Sequence, residues 1–105
     1  MIGAGANEHY FRDISRRFQN IDLSLIPIGT YAPRAFMRPV HINPKEAVQI
    51  HRDVGSSLSI GCHYGTFYLS DESLSRPPYD LFLALQEGNS IDSFCLMHEG
   101  QKIAW

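Results

Sequence analysis

His41 and His63 stand out as residues whose type and position could carry chemistry. His41 closes a loop that follows one strand-like run, and His63 lies just past the end of another. In open α/β folds ligands collect beyond the carboxyl ends of the strands, so both imidazoles are expected near one rim. There a neutral imidazole serves as a zinc ligand, and a protonated one as a general acid or a partner for phosphate. The alternative for each is a packed or surface histidine, the commoner fate in a small domain. Arg34 and Arg38, in the loop before His41, have the charge to clamp an anion, or to act as surface partners. Tyr31, Phe36 and Met37 give the same loop enough apolar surface to line an acyl pocket or to fold over its own core.

Other candidates carry less. His51 falls on the inward face of a helix, which suits a hydrogen-bonded core histidine, while His9 and His98 sit near element ends and read as solvated. Cys62 and His63 are adjacent on an extended segment, so their side chains point apart and do not form a nucleophile pair. Cys62 and Cys95 show no CxxC spacing and read as reduced core residues, which excludes a redox motif or a zinc ribbon. Gly3 and Gly5 lack the third glycine and the preceding strand of a dinucleotide fingerprint.

The elements that must position these residues alternate between helical and extended periods. Tyr10, Phe11, Ile14 and Phe18 mark one apolar stripe of a first helix, which Asn20 ends. Ile21 to Ile28 is an almost uncharged run with the signature of a strand covered on both faces. Tyr31 to Val40 reads as a long loop. A second helix is bounded by Asn43 as cap, Pro44 at its first position, Glu46 completing a capping box and Gly55 after its end, with Ala47, Ile50, His51 and Val54 inward. Ser57 to Gly61 is the second strand, and Asp71 to Arg76 a polar loop. Pro77 and Pro78 precede a third helix from about Tyr79 to Glu87, closed by Gly88, and Phe94 to Met97 is the third strand. This order predicts parallel neighbours joined by helical crossovers, in a single domain spanning 1–105.

The whole-chain numbers narrow the function classes. A chain of 105 residues with 44% hydrophobic and 19% charged residues is one small globular domain, expected to bury roughly 65% of its unfolded surface. A net charge of −2 leaves no basic field for phosphate backbones, so nucleic acid is excluded as a partner. No apolar run approaches the ~18 residues of a spanning helix, and Met1 to Ala6 is too short for a signal peptide. A cytoplasmic location is the expectation.

Three segments, PIGTYAPRAFM, HINPKEAV and HYGTF, are long and specific. With the surrounding chain from about Tyr10 to Glu99 they resemble the C-terminal part of the N-acylphosphatidylethanolamine-hydrolysing phospholipase D family, members of the metallo-β-lactamase superfamily. The resemblance implies an α/β fold, with the alternating helix-strand units forming the C-terminal half of a four-layer αβ/βα sandwich. It implies a centre of two zinc ions, at which a metal-bound hydroxide attacks a phosphodiester. Under it His63 matches the last histidine ligand and His41 a catalytic histidine beside the substrate phosphate. Tyr31, Arg34, Phe36 and Met37 then belong to the stretch that walls the substrate pocket. The family's HxHxDH cluster and the N-terminal half of the sandwich are absent from these 105 residues. In the stretch GAGANEHYF, Gly3 or Ala4 stands near the place of the family's metal-bridging aspartate. Catalytic zinc needs about three protein ligands, so the chain alone is expected to be inactive. It would be completed by the missing N-terminal half or by a second copy. A non-catalytic interaction or dimerisation module is the competing expectation, since half a sandwich exposes a sheet face.

Overall fold

The structure, a computed structural model, describes residues 7–90 and 92–105. The GAGA glycines and the position of the expected bridging aspartate lie outside the described residues. Helix α1 (Glu8–Arg17) starts at Asn7, whose side chain accepts from the Tyr10 N–H. Only part of the expected apolar stripe turns inward. Phe11 is in the core and Ile14 packs against it, but Tyr10 and Phe18 are more than half exposed. Tyr10 precedes Phe11 by about 100° of helix, and Phe18 is already the C-cap.

Strands β1 (Leu23–Pro27), β2 (Leu58–Cys62) and β3 (Phe94–Cys95) form one sheet in the order β1, β2, β3. Both pairings are parallel, with Leu25 opposite Ile60 and Ile60 opposite Cys95. The helix-strand alternation of the sequence thus produces the parallel crossovers it predicts. Helix α3 (Pro44–Val54) has the expected capping box. The Asn43 side chain accepts from the Glu46 N–H at 2.8 Å, the Glu46 carboxylate accepts from the Asn43 N–H at 2.9 Å, and Gly55 takes the left-handed cap at φ 71°. Its buried side chains Ala47, Val48, Ile50 and Val54 meet Ile26 and Ile28 from β1 and the edge of that strand. Leu81 and Leu85 of helix α4 (Arg76–Gly88) join the same core.

Four expectations change. Helix α4 begins at Arg76, ahead of Tyr79, because Pro77 and Pro78 occupy its first turn, where a missing N–H breaks no hydrogen bond. Its left-handed cap is Asn89 at φ 52°, one residue beyond Gly88. The segment Tyr31–Val40 is not all loop, since it holds a single helical turn, α2 (Arg34–Met37). The described residues do not cover both faces of the β1 strand. Along β2 burial alternates, with Ser59, which meets His51 of α3, and Gly61 buried, and Leu58, Ile60 and Cys62 half-exposed on the other side. Leu25, on that second face, is 60% exposed. The helices therefore cover one face of the sheet and leave an apolar row of Leu25, Ile60 and Cys95 across the other.

Candidate functional site at the carboxyl ends of the strands

Parallel pairing brings the exits of β1 and β2 side by side. The Ile28 N–H donates to the Cys62 carbonyl at 3.0 Å, which carries the ladder one residue past β1. Gly29 then passes so close to His63 that a β-carbon there would collide with the His63 carbonyl oxygen and press on Tyr64 Cα at 3.1 Å. Thr30 and His63 both adopt left-handed backbone, at φ 66° and 59°. Non-glycine residues held there are strained, and such strain gathers at functional sites. Thr30 Oγ1 lies 3.5 Å from His63 Nδ1.

His41 reaches the same place from the far end of the loop. Its ring centroid is 5.6 Å from that of His63, at an interplanar angle of 32°. Its N–H donates to the Met37 carbonyl at 2.8 Å, so the α2 turn fixes where it stands. Burial, and then the neighbouring His63, push the His41 imidazole below the ordinary histidine value, with Glu72 pulling the other way. A histidine shifted in that direction is neutral at pH 7 and has a lone pair to offer.

The four residues expected at the pocket wall separate. The Tyr31 hydroxyl is buried and donates to Asp80 Oδ2 at 2.6 Å; burial first, then that hydrogen bond, pushes its pKa up. Arg34 Nη2 holds both oxygens of Glu46, at 2.9 and 2.8 Å, and Nη1 donates to the His41 carbonyl at 3.0 Å. Phe36 projects into solvent at 77% exposure, and Met37 is half-buried. A cavity of about 290 Å³ opens beside His63, lined among others by Gly29, Thr30, Tyr64, Phe67 and Glu72. Tyr31 and Arg34 line a separate depression with Asp80 and Glu87.

Glu72 is the residue that sequence reasoning missed. Its Oε1 accepts from the Thr30 N–H at 2.5 Å, the Tyr31 N–H at 3.2 Å and the Ser70 hydroxyl at 2.8 Å, and its Oε2 from the Ala32 N–H at 2.9 Å. Burial raises its pKa, but the hydrogen bonds from Ser70 and from the backbone of Ala32, Glu72 and Thr30 outweigh it, so the carboxyl stays below its ordinary value. In the sequence it is one acid in a polar loop, and main-chain donors leave no residue signature.

Among the described residues no three histidine, cysteine or acidic side chains converge as a metal site. His41 and His63 together offer two nitrogens, one short of the three that catalytic zinc needs. The described residues alone do not fit a complete zinc centre.

The beta-lactamase superfamily domain matches residues 4–64. The chain is 40% identical over 77 residues to N-acyl-phosphatidylethanolamine-hydrolyzing phospholipase D 1 of Caenorhabditis elegans, covering 73% of this chain and 22% of that protein. It is 36% identical over 83 residues to the mitochondrial N-acyl-phosphatidylethanolamine-hydrolyzing phospholipase D of Saccharomyces cerevisiae, covering 78% of this chain and 18% of that one. An uncharacterized protein of Mycobacterium tuberculosis is 35% identical over 79 residues. The chain spans about a fifth of the length of these curated relatives. Among the described residues no helix is long and apolar enough to cross a membrane. The parallel sheet, the crossover helices and the matched domain together make this chain a member of the metallo-β-lactamase superfamily, with N-acyl-phosphatidylethanolamine-hydrolyzing phospholipases D among its relatives.

Proposed function

We propose that these residues supply one part of a zinc-dependent phosphodiesterase centre acting on N-acylphosphatidylethanolamine-type lipids. His63 is a metal ligand in this reading, and His41 stands beside the phosphate. The observation that carries it is the pair of imidazoles 5.6 Å apart at the carboxyl ends of parallel strands. The activity for which the two phospholipase D relatives are named supplies the substrate class. Two nitrogens do not complete a zinc site, so the remaining ligands come from the N-terminal half of the sandwich, which these 105 residues lack, or from a second copy, and an isolated copy is catalytically silent.

The test is a zinc titration of the isolated chain, followed by the imidazole NMR signals of His41 and His63. Hydrolysis of N-acylphosphatidylethanolamine in vesicles is assayed on the same samples. Both signals are expected to move together with zinc, His63→Ala is expected to abolish the response at His41, and neither protein should turn over lipid. Zinc that leaves both signals in place, or lipid turnover by either isolated protein, overturns the reading.

The open sheet face favours a second reading, in which the chain is an interaction or dimerisation module. Leu25, Ile60 and Cys95 form an apolar row with no helix upon it among the described residues, and such a face drives association. A sedimentation mass that rises with concentration, and returns to the monomer value in Leu25→Asp, is the expected result. A wild-type chain that stays monomeric at high concentration counts against it.

A further inference from the structure

We propose that Glu72 is a positioning residue for the His41 and His63 pair, fastening the segment after β1 so that Thr30 seats the His63 ring. The proposal rests on the reading above only in taking that pair as the functional one. Three successive main-chain N–H groups, from Thr30, Tyr31 and Ala32, converge on one carboxylate, and the Ser70 hydroxyl is a fourth donor. Consecutive N–H groups point the same way only where the chain curls, and Thr30 is at φ 66°. That conformation costs on the order of 1 kcal/mol or more in a residue with a β-carbon, and charge-assisted hydrogen bonds of this kind are strong enough to hold it.

Glu72 belongs to the other loop, the one that leaves β2 through His63. Its hydrogen bonds therefore tie the two loops together, and the Asp71 N–H adds to the tie by donating to the Ala32 carbonyl at 3.1 Å. Both rings hang from the segment so fixed. Thr30 Oγ1 faces His63 Nδ1 at 3.5 Å, and Arg34, just past Ala32, holds the His41 carbonyl at 3.0 Å. Glu72 thus sets the pair through main chain, since its hydrogen bonds go to backbone N–H groups and to Ser70.

The experiment is NMR on the metal-free chain near pH 8, where an imidazole of ordinary pKa, about 6.5, is neutral. Glu72→Gln keeps the size of the side chain but turns an amide donor toward a backbone N–H. Its expected effects are loss of the nuclear Overhauser contact between the two rings, changed His63 ring nitrogen shifts, and an upfield move of the Thr30 amide proton. Glu72→Asp, with the charge kept on a shorter arm, should restore these signals in part. Val54→Ala, which destabilises the distant end of α3, should leave them as in the wild type. Should Glu72→Gln fail to fold, Ser70→Ala decides, with a smaller change in the same direction expected.

An unchanged ring contact and unchanged His63 shifts in the folded Glu72 or Ser70 variant overturn the proposal. So does an equal change in Val54→Ala, which would make the effect one of general stability. No metal or lipid enters this experiment, so its failure leaves the zinc reading standing, and a failed zinc titration leaves Glu72 testable.

Discussion

Gly29→Ala is expected to lower stability by about 2–3 kcal/mol, the upper range for overpacking a filled site, and to move His63 out of register with His41. Gly29 is buried where β1 and β2 exit together, and the atoms a β-carbon would meet there are the His63 carbonyl oxygen and Tyr64 Cα and Cβ. Two of these three belong to main chain, so no flexible side chain can swing aside. Relief requires the two loops to part, and the parting segment carries Thr30 and His63 with it. Gly65→Ala is the control. Gly65 has φ 81° but nothing within 4 Å of an added β-carbon, so it should cost only the conformational penalty of about 1 kcal/mol. Urea unfolding midpoints would rank the two, and the ring contact between His41 and His63 should vanish in Gly29→Ala alone. Equal costs for both substitutions would mean that the close approach of the loops does not matter.

What the sequence revealed follows from how local each signal is. The boundaries of α3 were legible because Asn43, Pro44, Glu46 and Gly55 act within one turn of the residues they cap. The meeting of His41 and His63 was legible because a parallel sheet gathers strand exits at one rim. Coverage of β1 was not, since an apolar run reads the same whether its second face is covered by this chain or by something else. The early start of α4 was missed by treating Pro77 and Pro78 as a barrier, when a first helical turn tolerates both. Arg34 reads as an anion clamp from its charge alone, and only the fold reveals that Glu46 faces it. Glu72 was out of reach for the opposite reason, because its partners are backbone groups that every residue has.

His51→Leu is expected to cost about 3 kcal/mol, more than its gain in apolar surface suggests. His51 Nδ1 lies 2.8 Å from Ser59 Oγ, and Nε2 lies 3.0 Å from Ser93 Oγ, so both ring nitrogens are occupied. Ser59 is fully buried. Removing the ring leaves its hydroxyl without that partner, and leaving a buried polar group unsatisfied costs about 1–3 kcal/mol. The double variant His51→Leu with Ser59→Ala removes both partners and should recover part of the loss. The same histidine also sets a pH dependence. Burial, and then the Arg52 charge, hold its pKa below the ordinary value of about 6.5, so the unfolded chain takes up the proton first as pH falls. Its contribution is therefore complete above about pH 6.5 and is lost as pH drops through the lowered native value. His41 is shifted the same way and adds to the slope, so the comparison is made in a His41→Ala background. There, unfolding midpoints should fall between about pH 7 and pH 5 with His51 present and fall less in His51→Leu. Parallel pH profiles would mean that His51 is not held neutral by the core, and the hydrogen bonds to Ser59 and Ser93 would then have to tolerate a charged ring.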